Sequence, residues 1–69
     1  MMPEMQQTDS KAFSQHGYDE QNQELYITFR SSGATWIYPM PKDEYDKMTS
    51  GSLGSFFHSN VDKKKGRRA

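Results

Sequence analysis

Apolar and polar residues alternate most regularly in "ELYITFRS" (24–31), where Leu25, Ile27 and Phe29 take one side and Glu24, Tyr26, Thr28 and Arg30 the other. A period of two over this length predicts a half-buried antiparallel strand. "RSSGA" (30–34) is short enough for a hairpin, and Gly33 can supply the positive φ that such loops need. In the return strand, "ATWIYPM" (34–40), Trp36 and Tyr38 share one face while Thr35 and Ile37 take the other. Pro39 has no N–H for a ladder, so the strand ends near it or runs along an edge. Upstream, "SKAFSQHGYD" (10–19) has weaker strand marks in Phe13 and Tyr18, and Gly17 is expected to loosen or bulge it. Polar "EQNQ" (20–23) reads as the turn between these two strands.

The period then changes. Pro41 suits the first turn of a helix, and Asp43 and Glu44 behind it meet the positive end of the helix dipole. Tyr45 and Met48 lie three apart and share a face, and Gly51 is a natural stop. Ser52 can cap a second helix that carries Leu53, Phe56, Phe57 and Val61 at helical spacing. Gly54 weakens that helix in water, so it must be held by packing. The expected fold is α+β: a three-stranded antiparallel β-meander followed by two short helices packed on one face, over residues 10–62. Residues 1–9 read as a disordered leader, and 63–69 as a flexible basic tail.

Composition narrows what such a domain can do. Only 32% of the 69 residues are hydrophobic, and the mean hydropathy is −1.08, so one thin core is expected. So meagre a stock of apolar groups places the largest ring, Trp36, in the core or at its edge; a stacking platform is the competing reading. The thin core also makes a homo-oligomer a candidate. With no cysteine, disulfides and thiolate metal sites are excluded. No apolar run reaches the ~18 residues of a membrane-spanning helix. The N-terminus also lacks the basic and apolar regions of a signal peptide. A cytoplasmic location, with no membrane partner, is the expectation.

A formal net charge of zero conceals an uneven distribution. Residues 63–69, "KKKGRRA", hold five of the nine basic residues and no acid, leaving the rest of the chain at −5. Lys63, Lys64, Lys65, Arg67 and Arg68 can each pair with a phosphate and release a counterion. A solvated tail is the plainer reading; a third has the tail folding back onto the acidic body until a competitor releases it. Tyr26, beside Arg30 and opposite the apolar face, is the better candidate for an exposed ring. Catalysis has little to draw on. His16 and His58 have no metal-ligand spacing around them, and Ser55 and Ser59 near His58 lack a strained elbow or an oxyanion nest. No catalytic residue, metal or cofactor is expected, and the chain is not read as an enzyme.

The order "GYD" (17–19), "LYITF" (25–29), Gly33, "WIY" (36–38), Pro41, Tyr45 and "GSLGSFF" (51–57) resembles the KTSC family, small domains named after the C-terminal region of certain lysyl-tRNA synthetases. Trp36, Met40 and Gly51 stand where the family pattern has Tyr, Val and Ala. The resemblance implies the small α+β fold. RNA binding is the suggestion attached to the family, and single-domain members look like bacterial or phage genes. The leading expectation is a small non-catalytic module that binds nucleic acid through the basic tail, helped by Tyr26, Arg30 and Trp36. A protein-interaction module or phage-encoded inhibitor of a host protein, and a self-assembling protein, are the alternatives.

Overall fold

The computed structural model describes residues 3–51, 57 and 65–69. Five antiparallel strands lie in chain order across one sheet: β1 (Gln6–Gln7), β2 (Phe13–Asp19), β3 (Glu24–Phe29), β4 (Thr35–Pro39) and β5 (Arg67–Arg68). Helix α1 (Lys42–Ser50) follows β4. The α+β class, the three central strands and α1 agree with the pattern in the sequence. The sheet, however, is wider than three strands. Segments read as a leader and a tail each add a two-residue strand at one edge. The second helix expected from Ser52 lies outside the described residues except for Phe57, which is buried.

Local chemistry sets the turns. After β2, the Asp19 carboxylate accepts the backbone N–H groups of Gln21 and Asn22 at 3.1 and 3.3 Å, and the Asn22 side-chain amide at 2.8 Å. Those bonds, the side-chain one foremost, hold the Asp19 carboxyl below its usual range. The chain re-enters β3 through Gln23 at φ 52°. In the next hairpin Gly33 takes φ 70°, as its position predicts, and its N–H donates to the Phe29 carbonyl at 2.8 Å.

The bulge in β2 lies between Phe13 and Gln15, not at Gly17. Gly17 stays in register opposite Tyr26, and its lack of a side chain serves the N-terminal segment instead. A Cβ there would stand 2.7 Å from Met5 Sδ and 2.9 Å from the Glu4 carbonyl oxygen.

Register gathers one apolar face. Tyr18, Leu25 and Tyr38 align across three strands, as do His16, Ile27 and Trp36. The core comprises Phe13, Leu25, Ile27, Tyr38, Met40, Met48 and Phe57. Phe57 meets Phe13, Phe29 and Tyr38 edge-on, at centroid distances of 5.7, 6.0 and 5.1 Å. Such pairs add about 0.5–1.5 kcal/mol beyond the area they bury. From α1, Met48 is buried and Tyr45 stacks on Tyr18 at 4.3 Å, so the pair three apart does share the inward face. The Tyr18 hydroxyl donates to the Met40 carbonyl at 2.6 Å. Among the described residues no helix is long and apolar enough to cross a membrane.

Gly17 yields a test of sign. In an uncrowded strand, Gly→Ala gains about 0.5–1 kcal/mol by limiting the unfolded chain. Here the added methyl meets a backbone carbonyl, so Gly17→Ala is expected to lose about 1–3 kcal/mol. A lowered urea midpoint would show it.

Candidate functional site

Three of the candidates, Trp36, Arg67 and Arg68, meet at the outer edge of the sheet, where β5 lies against β4. Arg67 pairs with Ile37 and Arg68 with Trp36, and the Ala69 N–H donates to the Thr35 carbonyl at 3.0 Å. Successive strand residues face opposite sides, so the two arginines part. On the core side the Arg68 guanidinium lies over the Trp36 ring, 5.9 Å from its centroid. On the reverse side Arg67 Nη2 is 2.7 Å from Glu24 Oε2. Just before them, Gly66 lies directly against the Tyr38 ring. Lys65 is exposed. Lys63 and Lys64 lie outside the described residues.

Trp36 is half-buried and packs against the core, the core-edge placement expected from the scarcity of apolar side chains. Its outer contact is a cation. An exposed cation–π pair is worth about 0.5–1 kcal/mol, and exposed ion pairs about 0.2–1 kcal/mol; in Arg67–Glu24 the arginine is exposed and the carboxylate half-buried. Neither is a strong lock.

Tyr26 and Arg30 are not part of this edge. The expectation that Tyr26 presents an exposed ring is corrected: only 7% of it is accessible. It stands between Gly17 and Ile37 on the reverse face, where Pro3, Glu4 and Met5 close over Gly17. Arg30 keeps an exposed surface, but its guanidinium is occupied. Nε donates to the Ser10 carbonyl at 2.7 Å and Nη2 to the Thr8 carbonyl at 3.0 Å, so it clamps the approach to β2.

Two residues of this edge, and one at the opposite edge, carry little or no local signal in the sequence. Glu24 reads as a polar strand residue until β5 brings Arg67 to it. Gly66 is the single small residue inside the basic run, and that interruption is the one available clue. His16 is the third. Only 6% exposed, it sets Nδ1 2.5 Å from Thr8 Oγ1, which ties the chain after β1 to β2. The Tyr45 ring lies 6.3 Å away. Burial lowers the His16 pKa from its ordinary value.

A family model described as KTSC domain matches residues 9–64, a stretch that ends before β5 and begins after β1. The crystal structure of a KTSC domain protein from Yersinia pestis is similar to this chain with a TM-score of 0.83 and 29% sequence identity. The likeness covers 96% of this chain and 96% of that one. No curated protein matches the chain.

His16 gives a pH dependence. Its folded pKa lies below the unfolded value of 6.5, so the unfolded chain binds more protons between the two. The stability tied to neutral His16 is therefore complete above pH 6.5 and is lost as pH falls below it. Urea midpoints are expected to drop between pH 7.5 and pH 5. His16→Asn, which keeps a polar atom toward Thr8 but does not titrate, should flatten that component.

Proposed function

The chain belongs to the KTSC domain family, and on that premise we propose that it is a small non-catalytic binding module that takes a single-stranded nucleic acid, RNA foremost, along its β4–β5 edge. One observation carries this reading: Arg67 and Arg68 line the same edge as the half-buried Trp36, with exposed Lys65 just before them in the chain. Phosphates would compete for the guanidinium groups, whose present partners bind them weakly. An indole with one side in the core and the other under a cation is placed to take a base by stacking, worth about 1–3 kcal/mol. Lys63 and Lys64 adjoin this edge in sequence and extend the run of charge.

The acidic groups supply orientation. Glu20 and Asp46 gather around Lys42 at the start of α1, with Asp43 and Glu44 in the first helical turn. A polyanion is thus repelled from the helix and admitted at β5. Non-catalytic describes the whole reading: among the described residues, His16 is engaged structurally with Thr8.

A second reading, a protein-interaction module, is favoured by a different observation. The backbone of β4 is closed by a strand of only two residues, an edge that a strand from another protein could take over.

Titration of labelled single-stranded RNA at 50 and 200 mM salt tests the nucleic-acid reading. Each phosphate contact contributes about 0.7 to the slope of log affinity against log salt. The triple variant Lys65→Gln, Arg67→Gln, Arg68→Gln is expected to reduce that slope by about 2 and to weaken quenching of Trp36 emission. No binding at 50 mM salt, or binding indifferent to salt, overturns the reading.

A further inference from the structure

The edge of β4 is built to recognise more than charge. Along it, each residue of the covering segment meets a different and demanding neighbour. At Gly66 the ring of Tyr38 leaves no room for a side chain: a Cβ would stand 2.9 Å from Cζ, 3.0 Å from Cδ1 and closer still to Cε1. Tyr38 cannot easily yield, because it is itself buried and held edge-on by Phe57. At the next position a carboxylate, Glu24, awaits a cation on the reverse face; Glu24 is the less exposed member of that pair, at 18% against 57% for Arg67. At the following position the Trp36 ring awaits a cation on the core face. The Thr35 carbonyl then takes a backbone N–H. These four requirements describe an extended segment of the form Gly-basic-basic-x.

We propose that the β4 edge is a peptide-recognition groove selective for a glycine followed by two basic residues, and that residues 66–69 are its resident pseudo-ligand, held in cis. The occupant in trans is a partner protein that presents such a segment as a strand. This proposal rests on the strand-addition reading, and it is independent of nucleic-acid binding. The cis segment makes only a two-residue ladder, and both of its arginines are exposed, so its hold derives mainly from being tethered. A tether raises the local concentration of the segment to the millimolar range. It therefore blocks weak competitors and yields to a partner that adds further contacts. Residues 67–68 also lie beyond the stretch matched by the family model.

The test uses the full chain and a labelled peptide with the sequence KKKGRRA. Gly66→Val evicts the resident segment by collision with Tyr38 and opens the edge. Peptide binding to this variant, followed by anisotropy and by Trp36 emission, is expected to be saturable and at least tenfold tighter than to the unaltered protein. A second peptide, KKKVRRA, has the same charge and is expected to fail on the opened variant. If Gly66→Val does not fold by circular dichroism, the double variant Arg67→Glu, Arg68→Glu opens the same edge by setting residue 67 against Glu24 and removing the cation from Trp36, with both altered residues exposed. Equal binding of the two peptides overturns the proposal while leaving unselective strand addition standing. No binding of either peptide to a folded, opened variant overturns both. Equal affinity of the opened and unaltered proteins for KKKGRRA shows that the β4 edge is not the site, and it too overturns the proposal.

Discussion

The ring of Phe57, held edge-on by Phe13, Phe29 and Tyr38, is the contact from which most other placements follow. In a chain with 32% hydrophobic residues, few side chains can do this work, and aromatic rings bury the most area apiece. Phe13 and Phe29 come from the paired ends of β2 and β3, and Tyr38 comes from β4, so one inserted ring locks three strands to each other. Tyr38 then transmits that constraint outward. Its position is fixed by Phe57, and its ring in turn decides that residue 66 carries no side chain. The placement of β5 is thus a consequence of core packing rather than of backbone pairing alone.

Both edges of the sheet follow one plan. β1 and β5 each contribute two residues, too few for their ladder bonds to hold them, and each is fastened by side chains. On the β1 side, His16 meets Thr8, Arg30 takes the Thr8 and Ser10 carbonyls, and Gly17 admits Met5. On the β5 side, Gly66, Arg67 and Arg68 meet Tyr38, Glu24 and Trp36. The two fastenings differ in kind. The first has a buried histidine and two bonds to carbonyls; the second consists of exposed charges over one steric fit. The β5 edge is accordingly the looser of the two.

That difference explains what could be read in advance. β3 and β4 are legible because each carries its own alternation, β2 only through the weaker marks Phe13 and Tyr18, and α1 because acids follow Pro41 and Tyr45 precedes Met48 at helical spacing. A strand of "QQ" or "RR" has no period to read, and composition alone points to flexible ends. Alternation also told which face Tyr26 occupies, but not that residues 3–5 return over it. That return depends on Gly17, a dozen positions away from Met5, whose missing Cβ looked like a local weakness. Arg30 carried a signal for a cation and none for the two carbonyls that satisfy it. The core-edge position of Trp36 is legible because scarcity of apolar groups is a global constraint, visible without knowing any contact.

The same logic bears on the charges. A chain with zero formal net charge and a −5 body needs its basic run nearby to reduce self-repulsion, yet no single pair formed with that run is strong. Between exposed charges, attraction is screened within about 10 Å at 0.1 M salt. Closure of the β4 edge by β5 is therefore a balance, set by many weak terms and one steric fit. A buried, fully paired arginine at position 67 would have closed the edge permanently. Glu24 at 18% exposure and Arg67 at 57% achieve something else: the acceptor is fixed in place by the sheet while the donor stays exchangeable. Glu24 is thus positioned ahead of any cation that reaches it, and a pre-placed acceptor favours whichever cation loses least freedom on arrival. In the resting chain that cation is Arg67, by virtue of its tether.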